Sequence, residues 1–252
     1  MIKTTLQLGS TLLALVCAAS VHAAPQVFFG ENQNPGQKAT GAPADARTSF
    51  LAYLTGSVGT ETFELQATGG IAPLGLTFPG SAGNITATLT GGGKVFESSD
   101  IVLDSGRFNT TGAGAALKAG KWWEASGSFA IEFSLAVSAF GFYGTDIGDF
   151  AGQVTVTLLG TDDVPTTLNT GNTVRGADAS LMFWGFVDTA KSYKKITFGN
   201  TNQTGTDVFG FDDMVIGDRE QILPPGQVPE PGVLALVAIG LLGAGAIRRR
   251  NV

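Results

Sequence analysis

The run Gln153-Val154-Thr155-Val156-Thr157-Leu158-Leu159 sets Val154, Val156 and Leu158 at every second position, with threonines between them. On an extended chain, successive side chains point to opposite faces, so this run has one apolar face and one wetted face. The same period of two returns in 84–90 (NITATLT), 128–134 (SFAIEFS) and 195–198 (KITF), between turns rich in Gly, Asn, Asp and Thr. About ten such strands are expected, which makes the chain all-β, a jelly-roll-like antiparallel β-sandwich. One segment departs from the pattern. Pro43 to Leu54 sets Arg47, Phe50, Leu51 and Leu54 at helical spacing behind a proline suited to a first turn, and predicts one short helix.

Composition agrees with a folded domain. The 252 residues are 43% hydrophobic and only 14% charged, so apolar burial can offset the entropy of ordering. With 15 Lys and Arg against 21 Asp and Glu, the net charge is -6, which argues against a nucleic-acid partner, because phosphate recognition needs a clustered basic face.

Met1 to Ala23 have the layout of a secretory signal: Lys3, the apolar run Leu12–Ala19, then Val21-His22-Ala23 as a small-residue cleavage site. Cleavage is expected between Ala23 and Ala24, by way of the general secretion machinery. The apolar run is much shorter than the ~20 residues of a membrane span. Its removal takes away Cys17 and His22, the chain's single cysteine and single histidine. Disulfides, thiol nucleophiles and imidazole bases or ligands are then excluded from the mature protein.

At the other end, Val228-Pro229-Glu230-Pro231 precedes an apolar stretch, Gly232–Ile247, and the cluster Arg248, Arg249, Arg250. As a helix this stretch would reach about 24 Å at ~1.5 Å per residue, which interfacial arginines can extend toward a ~30 Å bilayer core. The arginines are expected to stay cytoplasmic, leaving everything before Pro231 on the outer side of the inner membrane. Pro-Glu-Pro, short span and terminal arginines in this order resemble the PEP-CTERM sorting signal of Gram-negative bacteria. The resemblance implies recognition by exosortase, a membrane-embedded processing enzyme of organisms that make exopolysaccharide. A looser likeness, carried by 29–32 (FGEN), 59–64 (GTETFE), 139–150 (AFGFYGTDIGDF) and 208–217 (VFGFDDMVIG), is to a domain common among such proteins; it implies a jelly-roll-like sandwich and no established activity.

The expected organisation is therefore a signal peptide at 1–23, a sandwich at 24–221, a Pro/Gly linker at 222–227 and the sorting signal with its transmembrane helix at 228–252. With Lys3, Glu230 and the three terminal arginines set aside, 11 basic and 20 acidic residues remain in 24–227, a net -9.

With His and Cys gone, carboxylate pairs of the glycosidase kind are the remaining common catalytic device, and no catalytic residue stands out. Glu61 and Glu64, three apart, would point to opposite faces of a strand, and Glu124 and Glu132 lie in runs without a signature. In 208–217, strict alternation puts Phe209, Phe211 and Val215 on one face and Val208, Met214 and Ile216 on the other, so both faces are apolar. Asp212 and Asp213 inside such a strand need donors, a basic side chain or a cation. Asp212-Asp213-Met214-Val215 resembles the last strand of several carbohydrate-binding jelly rolls, a likeness that implies a structural Ca2+, with Glu31, Asn32 and Glu64 as candidate co-ligands from the early strands. Asp146-Ile147-Gly148-Asp149 lacks the spacing of a contiguous calcium loop. Trp122, Trp123 and Trp184 are either core or a stacking platform for sugar rings. The resulting expectation is an exported, non-enzymatic protein that is anchored in the inner membrane as a precursor and then sorted to the cell surface or extracellular matrix, structural or adhesive in an exopolysaccharide biofilm. The alternatives are a lectin-like carbohydrate-binding module and, less favoured, a glycan hydrolase.

Overall fold

The computed structural model describes residues 24–34, 40–98, 106–110, 120–125, 127–202 and 207–224. The signal peptide, the sorting motif and the apolar tail lie outside the described residues, and among those described no helix is long and apolar enough to cross a membrane.

Among the described residues, thirteen strands make two antiparallel sheets, accompanied by one α-helix, α1 (Ala42–Leu51). The first sheet runs β1 (Gln26–Asn32), β11 (Leu181–Val187), β8 (Ala139–Thr145), β13 (Phe209–Gly217), β6 (Gly120–Ala125), β5 (Lys94–Ser98), with the short β2 (Thr60–Glu61) also on β13. The second runs β10 (Pro165–Asn169), β9 (Val154–Gly160), β12 (Tyr193–Asn200), β7 (Phe129–Val137), β4 (Ile85–Gly91), β3 (Leu74–Phe78). The four alternating runs read from the sequence are β9, β4, β7 and β12, and all four sit in the second sheet. Their outer face is wet, with Thr86, Thr155, Thr157 and Thr197 directed away from the core, which is why their alternation is legible.

The first sheet is covered on both sides. Inward, Phe140, Phe142, Trp184, Phe186, Phe209, Phe211, Met214 and Ile216 meet Val154, Val156, Leu158, Ile196 and Phe198 of the second sheet. Outward, Tyr143, Phe183, Val215, Leu181 and Phe28 pack under α1 and Phe108. Strands β8, β11 and β13 are consequently buried at every residue. The helix is seated by glycine. Gly141 and Gly185 are directly paired, and a Cβ on either would press on Phe50, while a Cβ on Gly30 would overlap the Ala42 carbonyl. Pro43, Ala46 and Phe50 form the buried face of α1, and Leu54, expected inside the helix, instead leaves it and bridges Ile222. Ile222, assigned to the linker by composition, is buried, and the Leu223 amide donates to the Tyr53 carbonyl, so packing continues past residue 221.

Strict alternation fails in β13, and the cause is a bulge. Asp212 pairs with Tyr143 and Val215 with Gly141, so one extra residue is accommodated between them, with Asp213 at φ 49°. Beyond it the faces exchange: Met214 and Ile216 join Phe209 and Phe211 in the inter-sheet core, and Val215 turns outward.

Trp184 is fully buried between the sheets, so Trp184→Ala should cost about 3–5 kcal/mol in denaturant unfolding. Leu65, 97% exposed, serves as the comparison; Leu65→Ala should stay within about 0.5 kcal/mol of the parent.

Candidate functional site

Two groups of acids were brought together by the fold, one under α1 and one at an end of the sandwich. In the first, Asp212 is 1% and Asp213 4% exposed, both on the outer face of the first sheet because of the bulge. The Thr110 amide donates to Asp212 Oδ2 at 2.7 Å, and the Asp213 amide donates to Asp212 Oδ1 at 2.7 Å. Thr110 Oγ1 stands 2.9 Å from Asp212 Oδ2 and 3.1 Å from Asp213 Oδ2, and its one proton can serve only one of them at a time. Burial, and then the charge of Asp213, push Asp212 well above the usual carboxylate range; burial also raises Asp213, against the pull of the Arg47 guanidinium. Tyr143, beside them, is driven up to about 12 by burial, opposed by Arg47.

Of the calcium ligand set expected from the sequence, Glu64 comes close enough for its charge to raise Asp213, but Glu31 and Asn32 do not join it. Strand β1 pairs with β11, not with β13, so β11 and β8 stand between Glu31 or Asn32 and the aspartates, about 14 Å at ~4.8 Å per strand. Glu31 instead accepts from the Thr173 amide and hydroxyl, and Asn32 Oδ1 from the Asn34 amide. Glu64 Oε1 accepts from Asn109 Nδ2 at 2.6 Å and from the Lys121 amide at 3.1 Å, tying its loop to β6. Asp212 has its donors from Thr110 and the Asp213 amide, the first of the solutions open to a buried carboxylate.

The tryptophans likewise offer no platform. Trp122, Trp123 and Trp184 are 1%, 0% and 0% exposed. Adjacent residues on a strand do face opposite ways, but β6 is covered on both sides: Phe96 lies over Trp122 at 5.0 Å between ring centroids, and Trp123 sits in the inter-sheet core between Phe63 and Phe129.

The second group was not singled out by sequence. Asp146 and Asp149 follow β8, Asp178 precedes β11, and Asp207 precedes β13; these connections converge on one end of the sandwich. Carboxylate oxygens of Asp146, Asp149 and Asp178 all lie within 4.8 Å of one another. Asp178 is within hydrogen-bonding reach of Asp146, and Asp149 of Asp207. Arg107 Nη1 meets Asp146 at 3.1 Å, while its Nε is committed to Glu124 at 3.1 Å, so one guanidinium faces several acids. Asp207 Oδ2 is out of solvent and has no donor among the described residues. Burial, followed by the neighbouring Asp178 and the charge of Asp149, raises Asp146 to about 7; burial and Asp149 raise Asp207 to about 7. Such a set of hard oxygens could hold a divalent cation or share protons. The only sequence signal for it was Asp146 and Asp149 three residues apart, and strands far apart in the chain supply the rest.

The pH dependence follows from the direction of these shifts. A carboxylate with a folded pKa near 7 binds its proton more tightly in the native than in the unfolded chain, so its contribution falls as pH rises from about 4 to about 7. With a chelator present, the thermal midpoint should be lower at pH 8 than at pH 5, and Asp146→Asn or Asp207→Asn should flatten that fall. Replacing the chelator by calcium at pH 8 should recover the midpoint, with magnesium at equal ionic strength as the control for screening of the acidic surface.

Comparison with known proteins separates the sandwich from the tail. No curated protein matches this sequence. Among solved structures, the K2 cleaved adhesin domain of Lys-gingipain is similar with a TM-score of 0.38 and 14% identity over 63% of this chain and 97% of its own. The C-terminal family 22 carbohydrate-binding module of Clostridium thermocellum Xyn10B is similar with a TM-score of 0.35 and 11% identity over 67% of this chain and 98% of its own. A family 29 carbohydrate-binding module gives 0.29 and 12%, over 56% and 99%. The tail is more specific, since residues 227–250 match the PEP-CTERM protein-sorting motif. This chain therefore carries, at residues 227–250, the PEP-CTERM protein-sorting motif.

Proposed function

We propose that the chain is a non-enzymatic component of the cell surface or extracellular matrix, delivered by exosortase sorting and acting as a structural or adhesive element among exported polysaccharide. The sorting motif at 227–250 carries this reading, because it gives the domain a destination. The geometry of the domain supports it. Gln26 at the start of β1 pairs with Val187, Val187 with Ala139, and Ala139 with Gly217, so the chain enters and leaves the sandwich at one pole. Thr145 pairs with Leu181 and with Gly210 at the other pole, about 20 Å away along β8, and there the aspartate cluster sits. From Pro224 to Gly232 there are eight residues, a reach of at most about 28 Å. A precursor held by its tail would therefore keep the exit pole near the membrane and present the acidic pole outward.

The non-enzymatic part rests on the acids themselves. A glycosidase sets two carboxyl groups about 5 Å or more apart on either side of the bond to be broken. Here Asp146 and Asp178 are in mutual reach, as are Asp149 and Asp207, which leaves no room for a sugar linkage between the partners. The lectin-like alternative loses the three indoles proposed as its platform, and among the described residues the one aromatic ring of the strongly exposed apolar side chains is Phe29, at 38%.

Replacing Pro229-Glu230-Pro231 by alanines in the producing organism should leave full-length protein in the inner-membrane fraction, detected by immunoblot with an antibody to the sandwich. Processing and release of this variant at the parental level would overturn the sorting reading.

A further inference from the structure

The pole at which the chain leaves the sandwich carries a groove that no part of the described chain fills. Two depressions of about 370 and 200 Å³ meet at Arg219. Thr161, Asp162, Ala190, Lys191 and Ser192 line the larger, and Thr189, Ile222, Leu223 and Pro224 line the smaller. Its walls are held rigidly. Asp188 Oδ1 accepts from the amides of Ala190 and Lys191, Asp218 caps the 3-10 turn Arg219–Gln221, and the Ser138 hydroxyl donates to the Lys191 carbonyl. A preformed, fixed surface lowers the entropic cost of receiving a peptide.

Three observations identify what the groove fits. Pro224, the last described residue, itself lines the smaller depression. In the larger depression Asp162 is matched by Lys191 at 3.0 Å, whereas Arg219 has no ion pair among the described residues, leaving one positive charge in excess. Between Pro225 and Pro231 there is one charged residue, Glu230, and six residues from Pro224 reach about 20 Å, enough to return to Arg219. Prolines at 225, 229 and 231 restrict this segment toward extended conformations, which lessens what is lost on docking.

We propose that the groove receives the chain's own segment Pro225–Glu230, with the Glu230 carboxylate on Arg219 and Val228 against Ile222 and Leu223, so that the sandwich holds the sorting motif in a defined place on its exit pole. The inference deepens the sorting reading and rests on it for its biological meaning. Docking would set the motif's position relative to the domain.

The test uses full-length precursor purified in detergent from a host without exosortase, so its outcome is independent of whether sorting occurs. Once the signal peptide is removed the chain has no cysteine, and engineered pairs report cleanly. A short bismaleimide should link Ala190→Cys to Val228→Cys within one molecule, read by mass spectrometry, and should not link Val174→Cys, at the opposite pole, to Val228→Cys. Arg219→Glu should reduce the first link at least fivefold, and Glu230→Arg combined with Arg219→Glu should restore it. Thermal unfolding of each variant checks that the sandwich is intact; Arg219 is exposed, so its reversal should leave the midpoint within a few degrees. Equal linking from both poles, or linking indifferent to Arg219→Glu in folded protein, would overturn the proposal while leaving the sorting reading standing; loss of processing in the alanine variant with no groove linking would retain sorting alone.

Discussion

A strand buried on both faces cannot carry two neighbouring carboxylates unless the structure around it supplies their partners. Strand β13 is in that position, and much of the first sheet is arranged accordingly. The bulge at Asp213 turns both aspartates to the same side, away from the dense aromatic core between the sheets. On that side Thr110 gives its amide and hydroxyl, Arg47 brings a positive charge from α1, and Phe108 and the helix exclude water. A single residue out of step therefore decides which apolar side chains fill the inter-sheet core and where the helix is needed. The glycine pair Gly141–Gly185 completes the arrangement by letting Phe50 descend onto the sheet.

The same topology divides the molecule into two poles with different chemistry. At the exit pole, buried acids are fully used as caps: Asp188 for a turn, with Tyr193 donating its hydroxyl, and Asp218 for the final 3-10 turn. At the far pole, four aspartates share one arginine and crowd one another. Like-charge crowding costs stability above neutrality unless protons or a cation relieve it, so it is the part of the surface whose state the environment can change.

Much of this was legible in the chain where one face of an element meets water. Strands β4 and β9 alternate along their length and β7 and β12 over part of theirs, because the outer face of their sheet is solvated, and Pro43 marks the start of α1. Legibility failed where both faces are covered. In β6, Trp122 and Trp123 look like one inward and one outward ring, yet Phe96 covers the outward one. In β13 the bulge leaves no mark in the pattern, since apolar residues occur on either side of the aspartates whichever register is assumed. Of the early strands, β2 pairs with β13 whereas β1 lies against β11; that adjacency depends on packing of the whole sheet, and no local motif encodes it.

By itself the sequence determined the class of fold and the sorting motif at 227–250. A sorting motif is short and contiguous, and period-two patterning is a local property of each strand. Only the tertiary structure decided which acids meet. Asp146, Asp149, Asp178 and Asp207 come from three separate connections and become neighbours because β8, β11 and β13 lie side by side in one register. Proximity between residues distant in the chain is set by burial of the strands that carry them, and nothing in the local pattern of a loop records which other loop its strand will lie beside.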